Sequence, residues 1–251
     1  GDNDRVEVLD LQTWRVVRHL PSGSDPELLA LHPDGRRLFV ANEDDNLVTV
    51  VDVERGAVIT EIPVGVEPEG MGMSPDGRLL VNTSETTNMA HVIDTETHAV
   101  VANVLVGARP RVALWQADGA RYWVSSEIGG TVSVIDAQRH EVAATIEFAV
   151  PGVPREAVQP VGTVFSADGA RAFVALGPAN RVAVVDARTL KVERTLLVGQ
   201  RVWNLALSPD GRRVYSTNGV SNDLSVIDVE ANRVVRSIPV GRLPWGVVVR
   251  P

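Results

Sequence analysis

The chain has no cysteine, which excludes disulfides, thiolate metal sites, a cysteine nucleophile and covalently attached haem while leaving either redox compartment open. It has no apolar stretch near the roughly 18–20 residues that span a bilayer. Its opening, GDNDRVEVLD, lacks the basic and apolar regions of a signal peptide. There is no basic run either. Lys and Arg number 24 against 32 Asp and Glu, a formal charge of −8, so nothing electrostatic recommends nucleic acid or an anionic membrane as partner. No Gly-x-Ser-x-Gly elbow surrounds Ser84, Ser125 or Ser126, and no histidine is placed to activate them, which argues against a serine hydrolase. The histidines, His19, His32, His91, His98 and His140, fall one at a time. A metal needs several convergent ligands, so they read as surface or turn residues.

What the chain does have is an apolar fraction of 44% over 251 residues, enough for an extensive core, and a repeat. Turn motifs HPDG, SPDG, QADG, SADG and SPDG end at Gly35, Gly77, Gly119, Gly169 and Gly211, spaced 42, 42, 50 and 42. A second landmark, an Asp closing a β-branched run, falls at Asp10, Asp52, Asp94, Asp136, Asp186 and Asp228, spaced 42, 42, 42, 50 and 42. The one deviation is an eight-residue insertion within AVPGVPREAVQPVG, which leaves both landmarks intact and so belongs in a surface loop.

One period reads as four short strands, Glu69 to Ser74, Arg78 to Thr83, Met89 to Ile93 and Ala99 to Val106. The Pro-Asp-Gly between the first two suits a tight turn, since Pro presets φ, Asp bonds nearby amides and Gly accepts a positive φ. Four-stranded units every 40 to 50 residues predict a β-propeller of antiparallel blades. Runs such as VAVVDA fit strands covered on both faces. A solenoid of stacked hairpins is the alternative. Six blade-length repeats are present in a single domain spanning 1–251. The chain starts and stops in mid-blade, with 5–20 matching third and fourth strands and 244–251 an innermost strand. Pairing of the two termini in one shared blade is therefore expected, only a second strand being absent from it.

These motifs, SPDGRLLV, NLVTVVD and SIPVG among them, resemble the YVTN family of β-propeller repeats. More narrowly, ANEDDNLVTVVD, NTSETTNMAHVID, SSEIGGTVSVID, VGQRVWNLA and VGRLPWGVVVRP resemble the propeller family associated with pyrroloquinoline-quinone-dependent catabolism in bacteria. That resemblance implies seven repeats, so that an N-terminal repeat and a leader are expected to be lacking here. It also implies a periplasmic location, and partners in an alcohol-oxidation and ABC-type transport system.

The polar heptad from Asn82 to Asn88, between two buried strands, is one copy of the loop joining second and third strands. In propellers these loops share a face with the connections between blades, around the channel mouth. The residue after the loop Pro, or its equivalent, is Glu27, Glu69, Arg111, Val161, Trp203 and Trp245 in successive copies. Such different chemistry at equivalent places makes one asymmetric pocket, in which Arg clamps carboxylates and Trp stacks on a ring or a cation. The alternative is that the indoles plug the channel and the charges pair with each other. The expected binding residues are Glu27, Glu69, Arg111, Trp203 and Trp245, with Glu85, Glu127 and Asn218 from the loops. The closing Asp residues, Asp52 and Asp94 among them, are expected to bond backbone amides of the following turn.

Three functional readings follow. The first is a non-catalytic exported binding or scaffold propeller, with a small molecule or a pathway protein at the mouth and no catalytic residue or cofactor assigned. The second is an enzyme of lactonase type using Glu43, Glu69, Glu85 and Glu127 with or without a divalent metal. The third binds pyrroloquinoline quinone directly, although the chain lacks the Trp-rich docking repeats and paired cysteines expected of quinoprotein alcohol dehydrogenases. Neither quinone nor metal has a motif to support it.

Overall fold

The computed structural model describes residues 4–250. It is all-β apart from one 3-10 turn at Arg155–Ala157, and divides into two compact units. One runs to Val124 and includes Ile135–Val142; the other comprises Ser125–Val134 and the residues from Ala143 onward.

The first sheet has two strands, β1 (Arg5–Asp10) and β2 (Arg15–Pro21). Five four-stranded antiparallel sheets follow, each ordered as its strands occur in the chain. They comprise β3 (Pro26–Leu31), β4 (Arg37–Asn42), β5 (Leu47–Asp52) and β6 (Ala57–Pro63); then β7 (Pro68–Met73), β8 (Leu79–Ser84), β9 (Met89–Asp94) and β10 (Val100–Leu105). Next come β11 (Pro110–Trp115), β12 (Arg121–Ser126), β13 (Thr131–Asp136) and β14 (Glu141–Glu147), a sheet apportioned to both units. The last two comprise β15 (Thr163–Phe165), β16 (Arg171–Ala175), β17 (Arg181–Asp186) and β18 (Val192–Leu197), and β19 (Val202–Leu207), β20 (Arg213–Asn218), β21 (Asp223–Asp228) and β22 (Arg233–Pro239). The four strands expected from one period are those of the β7–β10 sheet, displaced by about one residue at most ends.

Sequence chemistry accounts for each blade. The Gly of every Pro-Asp-Gly-type turn has φ between 67° and 76°, and its N–H donates to the carbonyl three residues earlier, as Gly77 does to Ser74 at 2.9 Å. The turn Asp accepts from the amide two residues on, as from Arg36 to Asp34 at 2.7 Å and from Arg212 to Asp210 at 3.0 Å. Each closing Asp ends a third strand and caps the next turn. Asp94 Oδ1 accepts from the amides of Glu96 and Thr97 at 3.0 and 2.7 Å, and Asp186 accepts from Arg188 and Thr189 at 3.1 and 2.6 Å. Backbone hydrogen bonds, that from Thr97 foremost, hold the Asp94 carboxyl below its ordinary range. The expected structural role of these carboxylates is therefore met.

Third strands are covered on both faces: β5, β9, β13 and β17 each bury their four central residues, and fully burying one Val or Ile contributes about 1.5–3 kcal/mol. In the first unit, Phe39, Val48, Val50, Leu80 and Ile93 pack in one cluster, and Val81, Val92, Tyr122 and Ile135 in another. In the second unit, Val161, Phe173, Val184, Val214 and Ile227 form the core.

Among the described residues no ladder corresponds to the expected shared blade of the two termini: the β1–β2 sheet has two strands and residues 240–250 contain none. Within the second unit the C-terminal segment is held by a side-chain joint to the preceding blade, its Trp245 carbonyl accepting from Thr217 Oγ1 at 2.8 Å and Asn204 Nδ2 at 3.1 Å.

Candidate site: a carboxyl and guanidinium cluster in the first unit

The loops that carry the site are fixed by a recurring bond. In every connection between blades but the inserted one before β15, the tip residue has positive φ: Asp25 at 47°, Glu67 at 57°, Arg109 at 55°, Arg201 at 55° and Leu243 at 51°. Its amide donates to a side chain 21 residues earlier. Glu67 bonds Asn46 at 3.1 Å, Arg109 bonds Asn88 at 2.9 Å, Arg201 bonds Asn180 at 2.8 Å and Leu243 bonds Asn222 at 2.8 Å, with Asp4 serving Asp25 at 3.2 Å. Each Asn itself has φ between 55° and 58°, a conformation Asn tolerates better than other side-chain-bearing residues. Backbone bonds join the same loops, from Glu43 N–H to Asp25 at 3.0 Å and from Glu85 N–H to Glu67 at 2.9 Å. Second-to-third-strand loops and inter-blade connections thus lie side by side, as expected.

In the first unit this brings together Glu27, Glu69, Arg111 and Glu85 of the expected set. Glu27, Glu69 and Arg111 are each the second residue of an innermost strand, β3, β7 and β11. Arg111 lies between two buried carboxylates: its Nη2 is 3.0 Å from Glu69 Oε1, and its Nη1 bonds Glu85 Oε1. The other oxygen of Glu85 meets Arg109 Nε at 2.7 Å. Around this chain lie Asp25, Glu43 and Glu67. Asp25, Glu27 and Glu43 each offer an oxygen within 4.8 Å of the others, as do Glu43, Glu67 and Glu85. Two full charges about 5 Å apart repel by about 3 kcal/mol at an effective dielectric near 20, so the cluster favours shared protons. Burial first, then the surrounding carboxyls, pushes Glu43 up to about 7 and Glu69 up to about 8, the latter despite Arg111; Glu27 rises for the same first cause, with Asp25 next.

A close backbone joint holds the strands that bear these groups. A Cβ on Gly70 would lie 2.0 Å from the Arg111 carbonyl oxygen, so only glycine allows this approach. Thr83 Oγ1 bridges it, accepting from Gly70 N–H at 2.8 Å and donating to Arg111 C=O at 3.1 Å.

The group of Glu43, Glu67 and Glu85 is a poor fit for a divalent metal. A cation needs oxygens free to turn to it, whereas both Glu85 oxygens face guanidinium groups and Glu67 accepts from Thr86 Oγ1. Asp25, Glu27 and Glu43 form a second group of oxygens close enough to share one cation or one proton, and burial raises the proton affinity of Glu27 and Glu43. Among the described residues no candidate ligand group includes a histidine. His91 Nε2 accepts from Gly65 N–H at 3.0 Å, with Nδ1 2.5 Å from Asn103 Oδ1, and His98 and His140 occupy positive-φ turn positions.

The remaining expected residues lie in the second unit. Glu127 Oε1 accepts from Arg201 Nη2 at 2.7 Å, and Arg201 Nη1 donates to Gln159 at 2.8 Å. The Arg201 guanidinium lies 3.9 Å from the Trp203 ring centroid. The inserted loop, through Gln159, thus helps set this arginine on the indole. Asn218 is buried and tied to Asp223 and Ser225 at 3.2 and 3.0 Å, a structural position. Trp245 is half-buried. Asp25 is the cluster residue passed over by sequence reasoning; its place one period before Glu67 was the available signal.

Two clefts of about 430 and 440 Å³ lie elsewhere, at blade-equivalent positions beside the Pro-Asp-Gly-type turns. Their Asp76 and Asp168 carboxylates already cap their own turns.

No protein-family model matches the chain. No curated protein matches it. Among solved structures 1680 chains are similar, and one is Kuenenia stuttgartiensis hydrazine synthase, at 21% identity and a TM-score of 0.84 over 96% of this chain and 82% of that one. A likeness so widely shared and so distant in sequence shows architecture alone: the chain has the β-propeller fold, with five four-stranded blades and one two-stranded sheet.

Proposed function

We propose that this chain is a non-catalytic binding or scaffold propeller of a bacterial quinoprotein alcohol-oxidation and transport pathway, exported to the periplasm, and a relative of the propellers associated with pyrroloquinoline-quinone-dependent catabolism. The pathway and location rest on the loop motifs quoted above. The binding role rests on one observation, the gathering of Glu27, Glu43, Glu69 and Glu85 from blade-equivalent positions into one cluster, in which Arg109 and Arg111 pair with Glu85 and Glu69. Carboxylates accept hydrogen bonds, and protonated carboxyls and guanidinium donate them. The site therefore suits a small cationic or hydroxyl-bearing ligand, or a polar segment of a partner protein.

A lactonase-type enzyme is the second reading, favoured by Glu43 and Glu69, whose proton affinities near neutrality suit general acid–base work. Its metal-dependent form would draw on Asp25, Glu27 and Glu43 rather than on the arginine-paired Glu69 and Glu85. Direct quinone stacking is weaker still, since Arg201 already covers Trp203. A thermal-shift screen of calcium, magnesium, zinc, pyrroloquinoline quinone, small alcohols, their acids and lactones, followed by a hydrolysis assay on the lactones, separates these readings. A saturable shift from an alcohol or other polar ligand that Glu69→Gln abolishes, with no turnover, is the expected result. Lactone hydrolysis lost in Glu43→Gln, or a metal shift lost in that variant, would overturn it.

A further inference from the structure

We propose that Asp118–Gly119 is a self-modification site, where this chain converts aspartate to isoaspartate through a cyclic imide while its four other Asp-Gly turns resist the reaction. The amide nitrogen of Gly119 attacks Cγ of the protonated Asp118 side chain; a C–N bond forms, a C–O bond breaks, and one water leaves with the amide and acid protons. A second water then opens the ring. Opening at Cγ restores aspartate, and opening at the former main-chain carbonyl leaves the backbone running through Cγ, so that water is the only co-reactant.

The five turns form a graded series. In all of them the Gly N–H donates to the carbonyl three residues earlier, and the Asp accepts from the amide two residues on. They differ in what else restrains the carboxyl. Ser74, Ser166 and Ser208 donate from Oγ to Asp76, Asp168 and Asp210 at 2.7, 2.6 and 2.6 Å. These bonds foremost hold the three carboxyls below their ordinary range, against the protonation that loss of water requires. Asp34 is held further by the amide of Arg37 at 3.1 Å and by its Nε at 2.8 Å. Gln116 stands where the serines do, and among the described residues Asp118 accepts from Ala120 N–H alone, at 2.9 Å. Pro33, Pro75 and Pro209 stiffen three of the turns just before the Asp, whereas Ala117 leaves this one freer. Room for the ring differs too. A Cβ on Gly77 would lie 2.8 Å from His32 Nε2 and one on Gly211 2.7 Å from Ala167 Cβ, but on Gly119 it meets nothing nearer than 3.9 Å. Asp118 alone combines an unlocked carboxyl, a turn without proline and an open glycine. Its conversion adds a methylene to the backbone in the wall of the cleft of about 430 Å³ that it lines with Ser74, Asp76, Trp115 and Asp136.

The full chain, kept at pH 7.4 and 37 °C in ¹⁸O-labelled water and sampled over weeks, tests the proposal. After trypsin, chromatography separates isoaspartyl from aspartyl peptides and mass spectrometry reads the label; Asp118 is the only acidic residue of its peptide, 112–121. Asp118 should convert about fivefold faster or more than Asp76, Asp168 and Asp210, the rate equivalent of one side-chain hydrogen bond. In concentrated urea the five should converge, because each is then the same dipeptide without its turn. Gln116→Ser combined with Ala117→Pro, which rebuilds the turn of Asp76, should lower the Asp118 rate to that of Asp76. Equal rates in the folded chain, a lead for Asp118 that persists in urea, or a rate unchanged by the two substitutions would each overturn the assignment.

Discussion

Arg111 is the residue on which the cluster depends most, because it is buried and serves two carboxylates at once. Removing one partner of a buried ion network leaves charge without compensation, at a cost of about 3–5 kcal/mol. Arg111→Met should therefore lower stability by about that amount in urea denaturation at pH 7.5, and Glu69→Gln by less than about 1 kcal/mol, since burial already favours a proton on Glu69. Equal losses for the two would show that Glu69 is ionised and fully paired. Much of this was legible residue by residue. Glu27, Glu69, Arg111 and Glu85 are brought together as their repeat positions foretold. Glu127, in the second unit, takes Arg201 as its cation, a pairing that depends on which loop offers a cation at hand. Spacing locates a loop; it does not say which way two long side chains will turn.

At the scale of the element, the repeat made strands and turns readable to within about a residue, since Asp, Gly and Pro each have a local reason to stand where they do. Sequence could not show the side-chain bonds between successive loops. Asn46, Asn88, Asn180 and Asn222 lie in polar loops after second strands, yet each holds the amide of the neighbouring connection. Asn88→Ala should lower stability by about 1 kcal/mol, seen as a reduced urea midpoint, while Asn88→Asp retains most of it. The turns after the third strands offer the opposite experiment. Gly56 occupies the last position of one such turn, and Leu190 occupies the equivalent with φ of 60°, where a side chain is strained by about 1–2 kcal/mol. Leu190→Gly should raise the melting temperature by a few degrees, after the added freedom of the unfolded glycine is offset. A fall would show that packing by the half-buried Leu190 outweighs the strain.

For the whole molecule, two sets of carboxyls oppose each other as pH changes. Glu43 and Glu69 bind protons more tightly folded than at their ordinary value of 4.5. Their contribution is therefore fully present below that value and is lost as pH rises through about 7 and 8. The turn residues Asp10, Asp94, Asp136, Asp186 and Asp228 lie below their ordinary 3.8, so theirs is present above that value and is lost at lower pH. Thermal melts from pH 4 to pH 9 should peak on the acid side of neutrality, at about 4.5 to 6, with an alkaline limb that flattens in Glu43→Gln. A peak above pH 8 would contradict the assignment. The repeat did not show the side-chain joint between blades, in which Thr83 bonds the Arg111 carbonyl and Thr217 bonds that of Trp245.

The bond from each loop Asn to the next connection has a consequence for how such a protein changes over generations. It grips only an amide, and every residue but proline has one. Asp25, Glu67, Arg109, Arg201 and Leu243 therefore share one backbone mould while carrying acid, base and hydrocarbon, so the chemistry of the face can be rewritten one position at a time without redesigning the scaffold beneath it.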